Sequence, residues 1–449
     1  MRKFVKKQIL DIIETLFQAH DAVRLSIDSN DKDNVISLLE DCQNTAIEVG
    51  NILDDSNSNE ADAIHLLEEY CEVVYRVSVE SENGIKGNAA REMLDNSLRT
   101  AEKHIRENVK ERLEIVFMPY KASMWDSLES VWKAADDDPD CDAYVVPIPY
   151  YDRNPDRSFG KYHYEGREYP KYVPITHYDN YDLAAHRPDI IYIHNPYDAN
   201  NYVTSVDPRF YSKELKKYTE TLIYIPYFVL NEPENITEEY LNKISSYCLQ
   251  TGVYNADRVI VQSELIRKSY IELLLRETTG ISKNREYLEE KIVVGGSPKF
   301  EKVINTKLED VDIPEHWTSL IVKPNGERKK VIFFNTSLDA MINNREKMIQ
   351  KIKNVLRVFY NYRDNVILLW RPHPLMEATL KSMFPELYVE YKQIVKEYVR
   401  GAWGIYDDTP DLNRAIALCS AYYGDGSSVV HLVKKVNKLI MIQNVNIDN

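Results

Sequence analysis

Residues 415–435 read AIALCSAYYGDGSSVVHLVKK, and the fold of the chain turns on what this stretch forms. An apolar helix end (Ala415, Ile416, Ala417, Leu418) runs into a short strand (Ala421, Tyr422, Tyr423), followed by the turn Gly424-Asp425-Gly426-Ser427-Ser428. An amphipathic helix carrying Val429, Val430, Leu432 and Val433 then begins. Glycines let a backbone approach a ligand closely, and the first N–H groups of a helix lack internal partners. Such a turn either holds a phosphate or diphosphate through amides, hydroxyls and helix dipole, or only caps the helix with Ser427.

Working outward, a second strong strand, Val366-Ile367-Leu368-Leu369-Trp370, delivers Arg371-Pro372-His373-Pro374 to the carboxyl edge of a sheet, where parallel-sheet proteins gather ligand groups. The two strand ends are expected to face one crevice. Upstream, strands are expected at Leu113–Tyr120, Ala143–Ile148, Asp189–His194, Leu222–Pro226, Val259–Val261 and Ile292–Gly295, with helical segments between them, the first over Ser123–Ala135. This alternation predicts parallel sheets with helices on both faces. It restarts at Val331-Ile332-Phe333-Phe334 after the polar stretch Val322–Arg328, so two Rossmann-like domains are expected, with a hinge near Thr306–Lys330 and a ligand cleft between them. Before them, helical periodicity over Phe4–Ile27, Val35–Leu53, Ala61–Val79 and Ala89–Val109, broken at Ser29–Lys32, Asp54–Asn59 and Glu80–Gly87, predicts an antiparallel bundle. The expected division is a helical bundle over 1–110, a first Rossmann-like (acceptor) domain over 112–305 and a second (nucleotide-donor) domain over 306–449.

Composition narrows the function classes. The chain has 449 residues, 44% of them hydrophobic, with no long apolar run, so a globular protein without a transmembrane helix is expected. The N-terminus MRKFVKKQILDIIETLF carries Asp11 and Glu14 on its apolar face and does not read as a signal-peptide core, so the protein is expected in the cytoplasm. A net charge of -15 argues against nucleic acid as a partner and against constitutive contact with an anionic membrane, and any contact with the inner face of a membrane is expected to be peripheral, through a local basic face. The five cysteines lack metal-ligand spacing and are expected as reduced thiols.

Other groups are candidates for chemistry. His194 ends an apolar strand in Ile193-His194-Asn195-Pro196, where a histidine is either a general base facing the crevice or a buried structural residue. The acidic run Asp136, Asp137, Asp138, Asp140 and Asp142 is read as a solvated loop rather than a metal site. Pro147–Tyr181, dense in tyrosine, proline and basic residues, is expected to be a long functional loop over the cleft. Gly295-Gly296-Ser297-Pro298-Lys299 follows a strand, and Lys299 is either a phosphate ligand or a surface lysine. Neither GxSxG nor HExxH occurs.

Arg371-Pro372-His373-Pro374 after a strand, Asp411 further on, and Asp425-Gly426-Ser427-Ser428 before a helix resemble the C-terminal half of the CDP-glycerol glycerophosphotransferase family, the teichoic-acid type polymerases and primases with a GT-B fold. Gly295–Lys299 is similar to that family's glycine-x-proline-basic turn, and Ala256–Ser263 to the strand before it. The resemblance covers roughly Ile115 to the C-terminus and leaves the helical N-terminus outside. Departures exist: Asn335-Thr336-Ser337-Leu338 lacks the family's arginine, the acceptor-side His-Gly motif stands as His194-Asn195-Pro196, and Gly426 occupies the place of a tyrosine.

The resemblance implies a GT-B-like α/β fold and metal-independent transfer, without a cofactor, of glycerol phosphate or a related polyol phosphate from a CDP-activated donor to a hydroxyl acceptor, a polyol phosphate or glycan, in cell-wall or surface-polymer synthesis. His194 is then the base. His373, Ser427 and Ser428 meet the donor's phosphates, helped by Arg371 and Lys299, and Asp411 or Asp425 orients the ligand or those side chains. Two alternatives stand beside it: a nucleotide-sugar glycosyltransferase or epimerase on the same fold, and a catalytically degraded scaffold. The N-terminal helices are expected to serve oligomerisation or a protein partner.

Overall fold

The computed structural model describes residues 1–55, 60–276 and 284–443, so positions 56–59 of the polar break expected at Asp54–Asn59 lie outside the described residues. The chain divides into two compact units. The first holds the helices α1 (Lys3–Asp28), α2 (Lys32–Asp55), α3 (Ala61–Glu82) and α4 (Gly87–Asn108), together with Glu114, Asp138–Asp142 and Arg187–Asp189. Ile9, Ile13, Leu16 and Val23 of α1 pack into one core with Leu39, Leu67, Val74, Leu94 and Leu98, which is why apolar residues recur at helical spacing in all four segments. The start of α4 requires glycine: a Cβ on Gly87 would lie 2.5 Å from the carbonyl oxygen of Arg24. Buried Lys6 donates to the carbonyls of Arg106 and Val109 at 3.0 and 2.8 Å and so caps the end of α4.

The second unit carries most of the fourteen strands among the described residues: β1 (Leu113–Met118), β2 (Cys141–Val145), β3 (Tyr150–Arg153), β4 (Phe159–His163), β5 (Ile190–Ile193), β6 (Thr204–Val206), β7 (Thr221–Tyr224), β8 (Arg258–Val261), β9 (Ile292–Val294), β10 (Lys330–Thr336), β11 (Val366–Pro372), β12 (Ile405–Tyr406), β13 (Ala421–Gly424) and β14 (Leu439–Ile442). They form a six-stranded sheet in the order β2-β1-β5-β7-β8-β9 and a five-stranded sheet in the order β12-β11-β10-β13-β14. Helices connect the strands, and the pairings β1–β5, β5–β7, β7–β8 and β8–β9 are parallel, as is every pairing of the second sheet. The fold is α/β and GT-B-like, a pair of Rossmann-like sheets with an N-terminal helical bundle.

Burial explains the apolar runs that mark these strands. In the second sheet Phe333, Ile367, Leu369 and Tyr422 pack on one face, while Phe334, Leu368 and Trp370 pack on the other. A strand covered on both faces is apolar throughout and does not alternate. Val229 and Val303, which precede β10 in the chain, belong to the core on the first of those faces.

Two expected elements differ. Pro147–Tyr181 is not a structureless loop: β3 and β4 pair antiparallel, and β3 also pairs with β6 in a small third sheet. Cross-strand aromatic contacts hold it, with Tyr150 stacked on His163 at 4.8 Å and Tyr151 against Phe159 at 5.0 Å. Strands this short, interleaved with charges, leave little period-2 signal to read. The helix expected over Ser123–Ala135 is a 3-10 turn at Ala122–Ser127 followed by a helix at Glu129–Asp136. No described helix is long and apolar enough to cross a membrane.

Candidate functional site

Three strand ends of the second sheet lie side by side, with Asn335 of β10 in register with both Arg371 of β11 and Gly424 of β13. Gly424 is needed for this approach, since a Cβ there would lie 2.4 Å from the carbonyl oxygen of Asn335. Because β10 runs between β11 and β13, the RPHP turn and the DGSS turn stand two strand spacings apart, roughly 9–10 Å.

The DGSS turn is occupied by its own bonds. Ser427 accepts from the N–H of Val429 at 3.3 Å and caps the helix Ser428–Lys435, and it also accepts from Asn335 Nδ2 at 3.0 Å. Asp425, 2% exposed, accepts from the N–H of Ser337 at 2.7 Å and pairs with Lys351 Nζ at 2.5 Å. Asp425 therefore fastens the turn to β10 and to the helix Glu346–Tyr360. Ser428 is the first residue of the capped helix and is half-buried. Asp411 is exposed and caps the helix Leu412–Leu418 by accepting from the N–H of Arg414 at 3.0 Å.

The RPHP turn, in contrast, lines a cleft of about 370 Å³, within the range of small-molecule sites. Arg371, His373, Glu377 and Asp407 face Lys121, Glu165 and Glu168 across it, while none of Asp425, Ser427 and Ser428 lines it. His373 Nδ1 accepts from the N–H of Leu375 at 3.1 Å, so the neutral ring carries its proton on Nε2 as a donor. Burial first, then the charges of Lys121 and Arg371, push its pKa down to about 4, and the ring is neutral near pH 7. Arg371 Nη1 pairs with Asp407 Oδ2 at 2.6 Å, and Asp407 also accepts from the N–H and hydroxyl of Thr409 at 3.1 and 2.6 Å. Lys121, 7% exposed, donates to Tyr150 Oη at 2.7 Å and Glu165 Oε1 at 3.4 Å. Glu165 accepts besides from the Tyr150 hydroxyl at 2.5 Å and from the N–H of Ala122 at 2.8 Å.

Lys121, Tyr150, Glu165, Glu168 and Asp407 were not among the candidates read from sequence. Lys121 had a usable signal: Met118-Pro119-Tyr120-Lys121 follows the first strand at the carboxyl edge of its sheet, the kind of position that singled out Arg371 in the second sheet. The carboxylates had none, because they lie in turns where charged residues are ordinary.

Two candidates are corrected. The His194 ring does not face the cleft: it is 0% exposed, its Nε2 accepts from the N–H of Tyr120 at 3.1 Å, and its Nδ1 bonds Ser127 Oγ at 3.0 Å. Burial pushes its pKa down to about 3, so a ring with both nitrogens engaged and no access to an acceptor is no base. Its bond to Tyr120 instead fixes the turn that presents Lys121. Lys299 is no phosphate ligand either, because its buried ammonium is paired with Asp126, whose other oxygen is 3.5 Å from Asn413 Nδ2. Among the described residues no group of three or more His, Cys, Asp or Glu is gathered as a metal-ligand set.

No family model and no curated protein matches the sequence. Among solved structures, the Methanocaldococcus jannaschii UDP-GlcNAc 2-epimerase in complex with UDP-GlcNAc and UDP aligns at 12% identity and TM-score 0.44, over 73% of this chain and 83% of that chain. Another UDP-N-acetylglucosamine 2-epimerase aligns at 12% identity and TM-score 0.40, over 75% and 80%. A variant of the wall teichoic acid polymerase TagF aligns at 13% identity and TM-score 0.39, over 84% of this chain and 79% of that one. At such scores the function has to be argued from the residues of the cleft.

Proposed function

We propose that the chain is a transferase that binds a nucleoside diphosphate donor in the cleft and passes a polyol phosphate, glycerol phosphate in the first instance, to a hydroxyl acceptor. One observation carries this: the Nε2–H of a neutral His373 shares a cleft with the cations Lys121 and Arg371. Arg371 uses part of its five-donor fork on Asp407 and retains the rest, and Lys121 keeps one N–H beyond those given to Tyr150 and Glu165, so a diphosphate finds several charge-assisted donors. Donors fixed before the substrate arrives stabilise the charge that develops on the phosphates during transfer. The sequence resemblance of the RPHP turn supports CDP as the nucleotide. The cations the chemistry needs come from side chains, so we read the transfer as metal-independent.

Thermal shift and titration calorimetry with CDP-glycerol, CDP-ribitol and UDP-sugars test the donor. Acceptor-dependent release of CMP separates this function from a nucleotide-sugar glycosyltransferase or epimerase, where UDP or another nucleoside diphosphate is released or retained. His373→Ala is expected to weaken donor binding about 10-fold or more, the usual worth of one hydrogen bond to a charged group. Wild-type affinity in a folded His373→Ala protein would remove the histidine from the donor site.

A further inference from the structure

With His194 withdrawn, the transfer lacks a base, and the cleft offers a replacement. We propose that Glu168 accepts the proton of the acceptor hydroxyl, an assignment that rests on the transferase function proposed above. The other groups of the cleft are committed. His373 presents a protonated Nε2, Asp407 is held by Arg371 and Thr409, and Glu165 accepts from Ala122, Tyr150 and Lys121. Glu377 is paired with Lys392 at 2.7 Å. Asp408, on the wall of Arg371 and Asp407, interacts with the Lys392 ammonium. Glu168 lines the same cleft, and its carboxylate has no hydrogen-bond or ion-pair partner among the described residues.

Its position is nevertheless fixed. The N–H of Glu168 donates to the carbonyl of Glu165 at 2.9 Å, and the next residue, Tyr169, is buried, so the backbone is pinned on both sides while the carboxylate stays accessible. The charged groups that act on it are Glu165 on its own turn, Lys121 after β1 and His163 of β4, with His373 and Arg371 across the cleft. Desolvation and the neighbouring Glu165 charge raise its affinity for a proton, and Lys121 and His163 oppose them. A carboxylate shifted upward is a better proton acceptor near neutral pH than an ordinary one.

The step is a displacement at phosphorus. The acceptor oxygen bonds to the phosphorus that carries the polyol, and its proton passes to the Glu168 carboxylate. The bond from that phosphorus to the bridging oxygen breaks, and CMP leaves with the electron pair. Glu168 then returns its proton to water.

Glu168→Gln keeps the size of the side chain and removes its basicity. It is expected to lower kcat for CMP release by about 10²–10⁴-fold, the usual share of general base catalysis, while the affinity for CDP-glycerol measured by calorimetry stays within about two-fold. The pH profile supplies a second readout: wild-type kcat/KM rises with pH as Glu168 ionises, and this acidic limb disappears in the variant. A merely structural Glu168 would change stability or donor affinity and leave the limb in place. Retained turnover or a retained acidic limb in Glu168→Gln, beside an active wild type, overturns the base and leaves the transferase standing. Wild-type protein that binds and turns over no CDP-activated donor overturns both.

Discussion

His194→Ala is expected to lower the unfolding free energy by about 3 kcal/mol at pH 7, while turnover per folded molecule falls by much less than the 10²-fold of a lost base. The substitution removes the acceptor for the N–H of Tyr120 in a site with no access to water, and a buried group left alone costs about 1–3 kcal/mol, while Ser127 keeps its bond to the carbonyl of Met124. The pH dependence identifies the cause. In the folded chain His194 resists protonation until about pH 3, whereas the unfolded chain takes up the proton near the ordinary value of about 6.5. The unfolded state therefore binds more protons in that window, and the contribution of His194 is complete above about 6.5 and fades toward pH 3, by on the order of 5 kcal/mol. Urea unfolding of wild type and variant at pH 7 and pH 4 should show the gap between them narrowing in acid. A variant of unchanged stability and abolished turnover would restore His194 as a catalytic group.

Lys351→Met carries a comparable expected loss. Lys351 and Asp425 are both buried and paired at 2.5 Å, and removing the cation strands a carboxylate away from water. Breaking such a pair from one side typically costs about 3–5 kcal/mol, whereas replacing both partners by apolar residues is often nearly neutral. The double variant Lys351→Met with Asp425→Leu should therefore recover part of what the single variant loses. Denaturant midpoints of the wild type, the single and the double variant decide it. A single variant as stable as wild type would mean that Asp425 is not held by Lys351 and is available to a ligand.

The strands and helices were legible because strands buried on both faces must be apolar throughout, and Val331–Phe334 and Val366–Trp370 obey that demand. The third sheet was illegible for the opposite reason, since Tyr150–Arg153 and Phe159–His163 mix aromatic and charged residues on strands too short for a period. For the site, the strand-end rule located Arg371 and His373 in the cleft but could not say which strand would separate two turns. The order β11-β10-β13 is set by tertiary packing, and it puts Ser427 outside the cleft. His194 shows the other limit: a histidine at a strand end looks the same in sequence whether its ring meets solvent or the N–H of Tyr120. Lys299 behaves likewise, its partner Asp126 being 173 residues away along the chain.

Val229 and Val303 have a bearing on how the protein opens and how it melts. Both come from the chain before β10, yet they fill the core beneath the second sheet. Swinging the two large sheets apart as rigid halves would bring these side chains into water at roughly 1.5–3 kcal/mol each, so wide breathing of the whole molecule is costly. Substrate traffic then falls to the open rim of the cleft rather than to a separation of the sheets. For the same reason the second half does not own a complete interior, and heat should not leave its sheet folded once the first has melted.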